Sequence, residues 1–184
     1  LQELHDFHVL VLTVIRAAAS FREIGRRGVR HRKEVRPQGF PLRRIETDRA
    51  GTWIAVWESE NSLGDTIGDD GDLLYAISTD DGETWTANAA LNANAATDTG
   101  YETFPSITTD RIGNWVVVWE GNIDVGKGES ADYEIVSARS NDNGATWKAP
   151  VAVNSDAVAD DDYDSSPSAS TDGAGNWIAI WRKD

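Results

Sequence analysis

The chain has 184 residues, a formal net charge of −14, and neither cysteine nor methionine. So acidic a chain is a poor partner for the phosphate backbone of nucleic acid, and without cysteine there is no disulfide framework. With no Met even at position 1, the expectation is a fragment or a processed chain.

The charge is unevenly spread. Residues 1–44 carry ten Lys/Arg against four Asp/Glu, whereas residues 45–184 carry seven against 27. All three histidines (His5, His8 and His31) lie in the first part and all eight tryptophans in the second. A composition break this sharp predicts a boundary near residue 40. Within residues 1–40, the mostly apolar stretch Phe7–Ile15 is too short to span a bilayer as a helix. Glu3 and Asp6 precede it where a signal peptide is basic. It reads as a short helix or buried strand. The basic run Arg22–Lys33 reads as a solvated, poorly ordered tail, with an anion-binding arm as the alternative.

From Pro41 onward a repeat takes over. Thr47-Asp48 with Trp53 and Trp57 recurs as Thr109-Asp110 with Trp115 and Trp119, then as Thr171-Asp172 with Trp177 and Trp181, each 62 residues on. A second motif keeps the same 62-residue period: Ser78-Thr79-Asp80-Asp81-Gly82-Glu83-Thr84-Trp85 and Ser140-Asn141-Asp142-Asn143-Gly144-Ala145-Thr146-Trp147. Two motifs at one spacing mean tandem copies of one supersecondary unit.

Each copy reads as four strands. Pro105–Thr109 and Pro167–Thr171 are first strands, and a tight turn at Asp110–Gly113 leads to the β-branched, aromatic second strand Asn114–Trp119. Side chains alternate on a strand, so Trp115, Val117 and Trp119 share one side. Asp72–Ile77 and Glu134–Arg139 are third strands. The octapeptide then forms a turn, and Thr146–Val151 is a fourth strand. In the octapeptide, S-x-D-x-G-x-T-W, the Asp accepts backbone N–H bonds and the Gly supplies positive φ. Thr opens the return strand and Trp anchors it. Ser78, Asp80, Gly82, Thr84 and Trp85, with Ser140, Asp142, Gly144, Thr146 and Trp147, are therefore expected to be structural.

The two octapeptides resemble the Asp-box, or BNR repeat, of the sialidase-like β-propellers. The resemblance covers about residues 41–184 and implies an all-β propeller of four-stranded antiparallel blades. It places blades at 41–97 and 104–159 and a partial one at 166–184, after a non-propeller segment 1–40. In that family the box turn lies away from the active site and occurs in enzymes and receptors alike, so it implies a fold and leaves activity open.

Strand order sorts the loops by end. The first-to-second turns and the boxes fall at one end. The long loops Glu58–Asp72, Leu91–Phe104, Glu120–Glu134 and Val153–Ser166 fall at the other, and hold 18 of the 27 acidic residues of the repeat region. Loops of this kind carry function. Tyr101 and Tyr163, 62 residues apart, with Glu102 and Asp164 beside them, are the candidate binding residues. Oxygen-rich clusters at Asp65–Asp72 and at Asp160, Asp161, Asp162 and Asp164 suit Ca²⁺, the one cofactor considered, although a solvated acidic face explains them as well. Sialidases of this superfamily hold the substrate carboxylate with three arginines, the first in Arg-Ile-Pro. Here Arg44-Ile45-Glu46 lacks the Pro, the later long loops hold no Arg, and no Tyr/Glu nucleophile pair is assignable. No catalytic residue is therefore named. The expectation is a non-catalytic glycan- or protein-binding module, extracellular or on the cell surface, without a transmembrane segment. Its open sheet edges would pair with further blades or with other copies. A fragment of an exo-α-sialidase-type glycoside hydrolase and a purely structural repeat array are the alternatives.

Overall fold

The computed structural model describes residues 43–122, 133–154, 157 and 162–183. The expectations for residues 1–40 lie outside them. Among the described residues there are ten strands and no helix, and so no helix long and apolar enough to cross a membrane.

The strands form three antiparallel sheets. In the first, β1 (Arg43–Thr47), β2 (Trp53–Ser59), β3 (Asp72–Ser78) and β4 (Ala89–Ala90) pair in chain order. In the second, β5 (Glu102–Thr109), β6 (Trp115–Gly121), β7 (Glu134–Ser140) and β8 (Val151–Ala152) do the same. The third holds β9 (Asp164–Thr171) and β10 (Trp177–Lys183). None of the sheets closes on itself.

Two strand expectations need correction. The fourth strands are far shorter than expected: β8 is only Val151–Ala152. The main chain after the box keeps one ladder bond, Lys148 N–H to the Arg139 carbonyl at 2.8 Å, and resumes pairing only past Pro150, which has no N–H to give. The first strands, in turn, begin earlier than expected, because β5 and β9 start at Glu102 and Asp164. Pro105, the expected first residue, falls within a bulge between Thr103 and Ser106. Such an edge-strand bulge is a place where a missing donor is tolerated.

Alternation on the second strands decides how the sheets stack. Trp115, Val117 and Trp119 point to one side of β6 and join Ile54, Val56 and Leu73 of the first sheet in one buried cluster. Val116 and Val118 point to the other side and meet Trp177, Ala179 and Trp181 of the third sheet. Each junction thus sets an aliphatic face against a tryptophan face. Full burial of one aliphatic side chain such as Ile54 stabilises by about 1.5–3 kcal/mol. In the third sheet the aliphatic positions are Ile178 and Ile180, 68% and 66% exposed.

At one end of the sheets lie two kinds of turn. Asp48, Asp110 and Asp172 each accept two backbone N–H bonds across the first-to-second turn, for example from Ile112 at 2.9 Å and Asn114 at 3.1 Å. The octapeptides dock on these turns through Asp81 N–H to the Gly51 carbonyl and Asn143 N–H to the Gly113 carbonyl, both 3.1 Å. The loops 58–72 and 91–104 lie together at the opposite end, as the strand order requires.

Candidate functional site

The octapeptide side chains bond inward, to their own turn. Ser78 Oγ donates to Asp80 Oδ1 at 2.8 Å and accepts Gly82 N–H at 2.9 Å. Asp80 also accepts Thr84 N–H at 2.8 Å and Thr84 Oγ1–H at 2.6 Å. Ser140, Asp142, Gly144 and Thr146 repeat each bond. Donation from the Thr hydroxyl and N–H, then from Ser, holds the Asp80 and Asp142 carboxyls down at about 2. Trp85 Nε1–H donates to the Gly82 carbonyl, and Trp147 meets Tyr75 of the first sheet edge-on, ring centroids 5.9 Å apart. The hydrogen bonds of these Ser, Asp and Thr side chains close within their own turns.

The long-loop end is built differently. Gly68 N–H bonds the Ala95 carbonyl and Glu102 N–H bonds the Gly71 carbonyl, both at 2.7 Å, which ties loop 58–72 to loop 91–104. At that seam, the buried Asn92 amide donates to Asp72 Oδ1 at 2.8 Å and to Glu102 Oε2 at 3.1 Å. It bridges an acid of the first sheet to one of the second. The carboxylates of Asp70, Asp72 and Asp98 converge on the same spot. Burial, then Asp98, Asp72 and Asp70, push the Glu102 carboxyl up to about 9. Burial likewise raises Asp72. In the next seam, Asn154 Nδ2–H donates to Glu134 Oε2 at 2.7 Å, beside Asp164, which is as buried as Glu102.

A second acid at each seam clamps neighbouring sheets. Glu58 at the end of β2 accepts Phe104 N–H at 2.8 Å and the Thr103 hydroxyl. Glu120 at the end of β6 accepts Ser166 N–H at 2.6 Å. Phe104 and Ser166 both have positive φ, 50° and 56°, at the bulges that aim these N–H groups across. Neither glutamate was a candidate from sequence, where both counted only as loop charge. Their 62-residue spacing was the signal available.

The candidate binding residues divide by exposure. Tyr101 and Tyr163 are 52% and 39% exposed, whereas Glu102 and Asp164 beside them are buried seam acids. The Tyr163 ring lies 5.1 Å from Tyr133, and its hydroxyl donates to Glu120 Oε2 at 3.3 Å. Of the four aspartates proposed from sequence for a metal, Asp160 and Asp161 lie outside the described residues. Asp162 is exposed and pairs with Lys183 Nζ at 3.8 Å, so a cation already sits beside it. Arg44, the second residue of β1, is exposed, and its guanidinium donates to the Arg43 carbonyl.

No family model matches this chain, and no curated protein matches it. Among solved structures it is similar to the Hadza microbial sialidase Hz136, at 21% identity and TM-score 0.46, over 61% of this chain and 25% of that one. The chain thus spans about a quarter of that sialidase.

Proposed function

We propose that the three sheets are consecutive blades of a sialidase-like Asp-box propeller. In this reading the chain is a non-catalytic module, extracellular or at the cell surface, that binds a glycan or protein ligand at its long-loop end. What supports the propeller is the 62-residue repeat of antiparallel sheets that stack aliphatic face on tryptophan face. The observation that carries the binding role is the pair Tyr101 and Tyr163. They occupy the same repeat position, are open to water, and stand beside acids at the starts of successive sheets. An exposed tyrosine offers an apolar face for a sugar ring or an apolar side chain and a hydroxyl for a hydrogen bond. Glu102, whose carboxyl is pushed up to about 9 and would carry a proton at neutral pH, is 2% exposed, out of reach of a glycosidic oxygen.

Glycan-array retention of the full chain tests this. Tyr101→Ala together with Tyr163→Ala should abolish retention while the far-ultraviolet spectrum is unchanged. A fluorogenic sialoside should hydrolyse at the buffer rate with wild type and with Arg44→Ala alike. Turnover by wild type that Arg44→Ala removes would replace this reading with that of an exo-α-sialidase fragment.

A further inference from the structure

The seam between the first and second sheets contains more oxygen than its own hydrogen bonds can use. Asp72 is fully buried, and Asn92 and Glu102 are 2% exposed. Yet Asn92 Oδ1 and the buried Asp70 Oδ2 have no hydrogen-bond partner, and Asp72 Oδ2 and Glu102 Oε1 have none beyond a proton shared between these two carboxyls. A buried acceptor without a donor is costly, and a buried carboxylate beside other carboxylates more so. The charges that act on Glu102 are all negative: Asp98, Asp72 and Asp70.

The geometry suits a cation, which would offset these charges. Oxygens of Asp70, Asp72 and Asp98 all lie within 4.8 Å of one another. Oxygens bound to one Ca²⁺ at about 2.3–2.6 Å can be at most about 5 Å apart, so three such atoms can share one ion. We propose that Asp70, Asp72 and Asp98 form a site for Ca²⁺ at the seam between the first sheet and the second, with Asn92 and Glu102 buried beside it. The donor set is oxygen alone, which selects a hard cation over zinc or copper. The ligands come from two loops and a strand start, and this uneven set suits the flexible six-to-eight coordination of Ca²⁺ better than the strict octahedron of Mg²⁺. Asp70 and Asp98 are half-buried and give the ion a way in. Gly68 leaves room for the Asp70 carboxylate, which a Cβ there would strike. Asn94 Nδ2–H holds Asp98 in place.

The repeat argues that this grouping is not a chance of one loop. Sixty-two residues on, the five positions are Asp132, Glu134, Asn154, Asp160 and Asp164, and each keeps an oxygen-bearing side chain. Most other positions of these loops differ between the copies. This site shares Asp70 and Asp72 with the Asp65–Asp72 cluster expected from sequence and adds Asp98 from the next loop, and it stands whether or not the tyrosine end binds a ligand.

The test is calcium titration of the chelator-treated full chain by calorimetry and thermal melting, with Mg²⁺ as a parallel arm. Ca²⁺ should bind and raise the melting temperature by mass action, and Mg²⁺ should do so more weakly. Asp70→Asn with Asp98→Asn, at half-exposed positions, should leave the fold intact and weaken Ca²⁺ binding about tenfold or more. Asp65→Asn with Asp69→Asn should leave binding unchanged. Terbium(III) should luminesce when excited through the aromatic residues, Tyr101 lying against Gly71 next to the site, and Ca²⁺ should quench it. No heat and no melting shift at millimolar Ca²⁺ would overturn the proposal. So would a shift of equal size in both double variants, since that marks diffuse screening of an acidic surface.

Discussion

The two ends of these sheets use the same side chain in opposite ways. At the turn end, Asp80 and Asp142 each collect an N–H, a Thr hydroxyl and a Ser hydroxyl, and are held ionised far below the ordinary range. At the loop end, Asp72 and Glu102 share one amide among several carboxylates, and burial holds them toward the protonated form. Donor supply, more than residue type, decides whether an acid is held ionised or is pushed toward its protonated form.

The largest expected effect is at the turn end. Gly144 has φ of 82°, and a Cβ there would run into the Ile54 and Ile77 side chains of the neighbouring sheet. Gly144→Val should cost about 3 kcal/mol or more, from backbone strain and overpacking together. Denaturant melts measure this, and a cost below about 1 kcal/mol would show that the turn does not set the stacking. Next comes the clamp. Glu120→Ala leaves the Ser166 N–H without its acceptor in a part-buried contact and should cost about 1 kcal/mol. Glu120→Gln should recover part of that cost, and failure to do so would mean the charge matters more than the bond.

The comparison itself breaks or holds on pH. Asp142 has a depressed folded value, so its contribution is full above about 3.8 and is lost as pH falls through about 2. Glu102 has a raised one, so its contribution is full below about 4.5 and is lost as pH rises through about 9. With metal removed, Glu102→Gln should therefore flatten the decline in melting temperature between those pH values while leaving the acid limb intact. Asp142→Asn should do the reverse. If both variants shift the same limb, the two ends are not distinct. Smallest of all, Asp69→Asn on the exposed loop should change stability by less than about 0.5 kcal/mol.

What the sequence made legible follows the same division. The octapeptide bonds span only two to four residues, from Ser78 to Gly82 and from Asp80 to Thr84, so a single stretch of chain displays them. The 62-residue period and strand alternation also identified which tryptophans share a side. The seam was not legible in that way. Asp72 and Asn92 are 20 residues apart, and Glu58 reaches Phe104 across 46, through loops with no periodic pattern. Counting acids found the loops, but it gave Asp65 and Asp162 the same weight as Asp72. Aligning the two copies would have singled out Asp70 with Asp132 and Asn92 with Asn154. The short β8 was missed because Thr146–Val151 looks extended, whereas a strand also needs ladder bonds that Pro150 cannot give.

The aliphatic-on-tryptophan stacking has a geometric corollary. The two faces that meet at a junction are unlike, so the contact is heterologous and has a direction. Ile178 and Ile180 present an aliphatic face of the kind that meets tryptophans at both junctions within the chain. Units joined by such unlike faces add head to tail, with no two-fold axis to stop them at a pair. Growth of that sort ends only when the rotation per step closes a ring; otherwise it continues as a fibre of no fixed length.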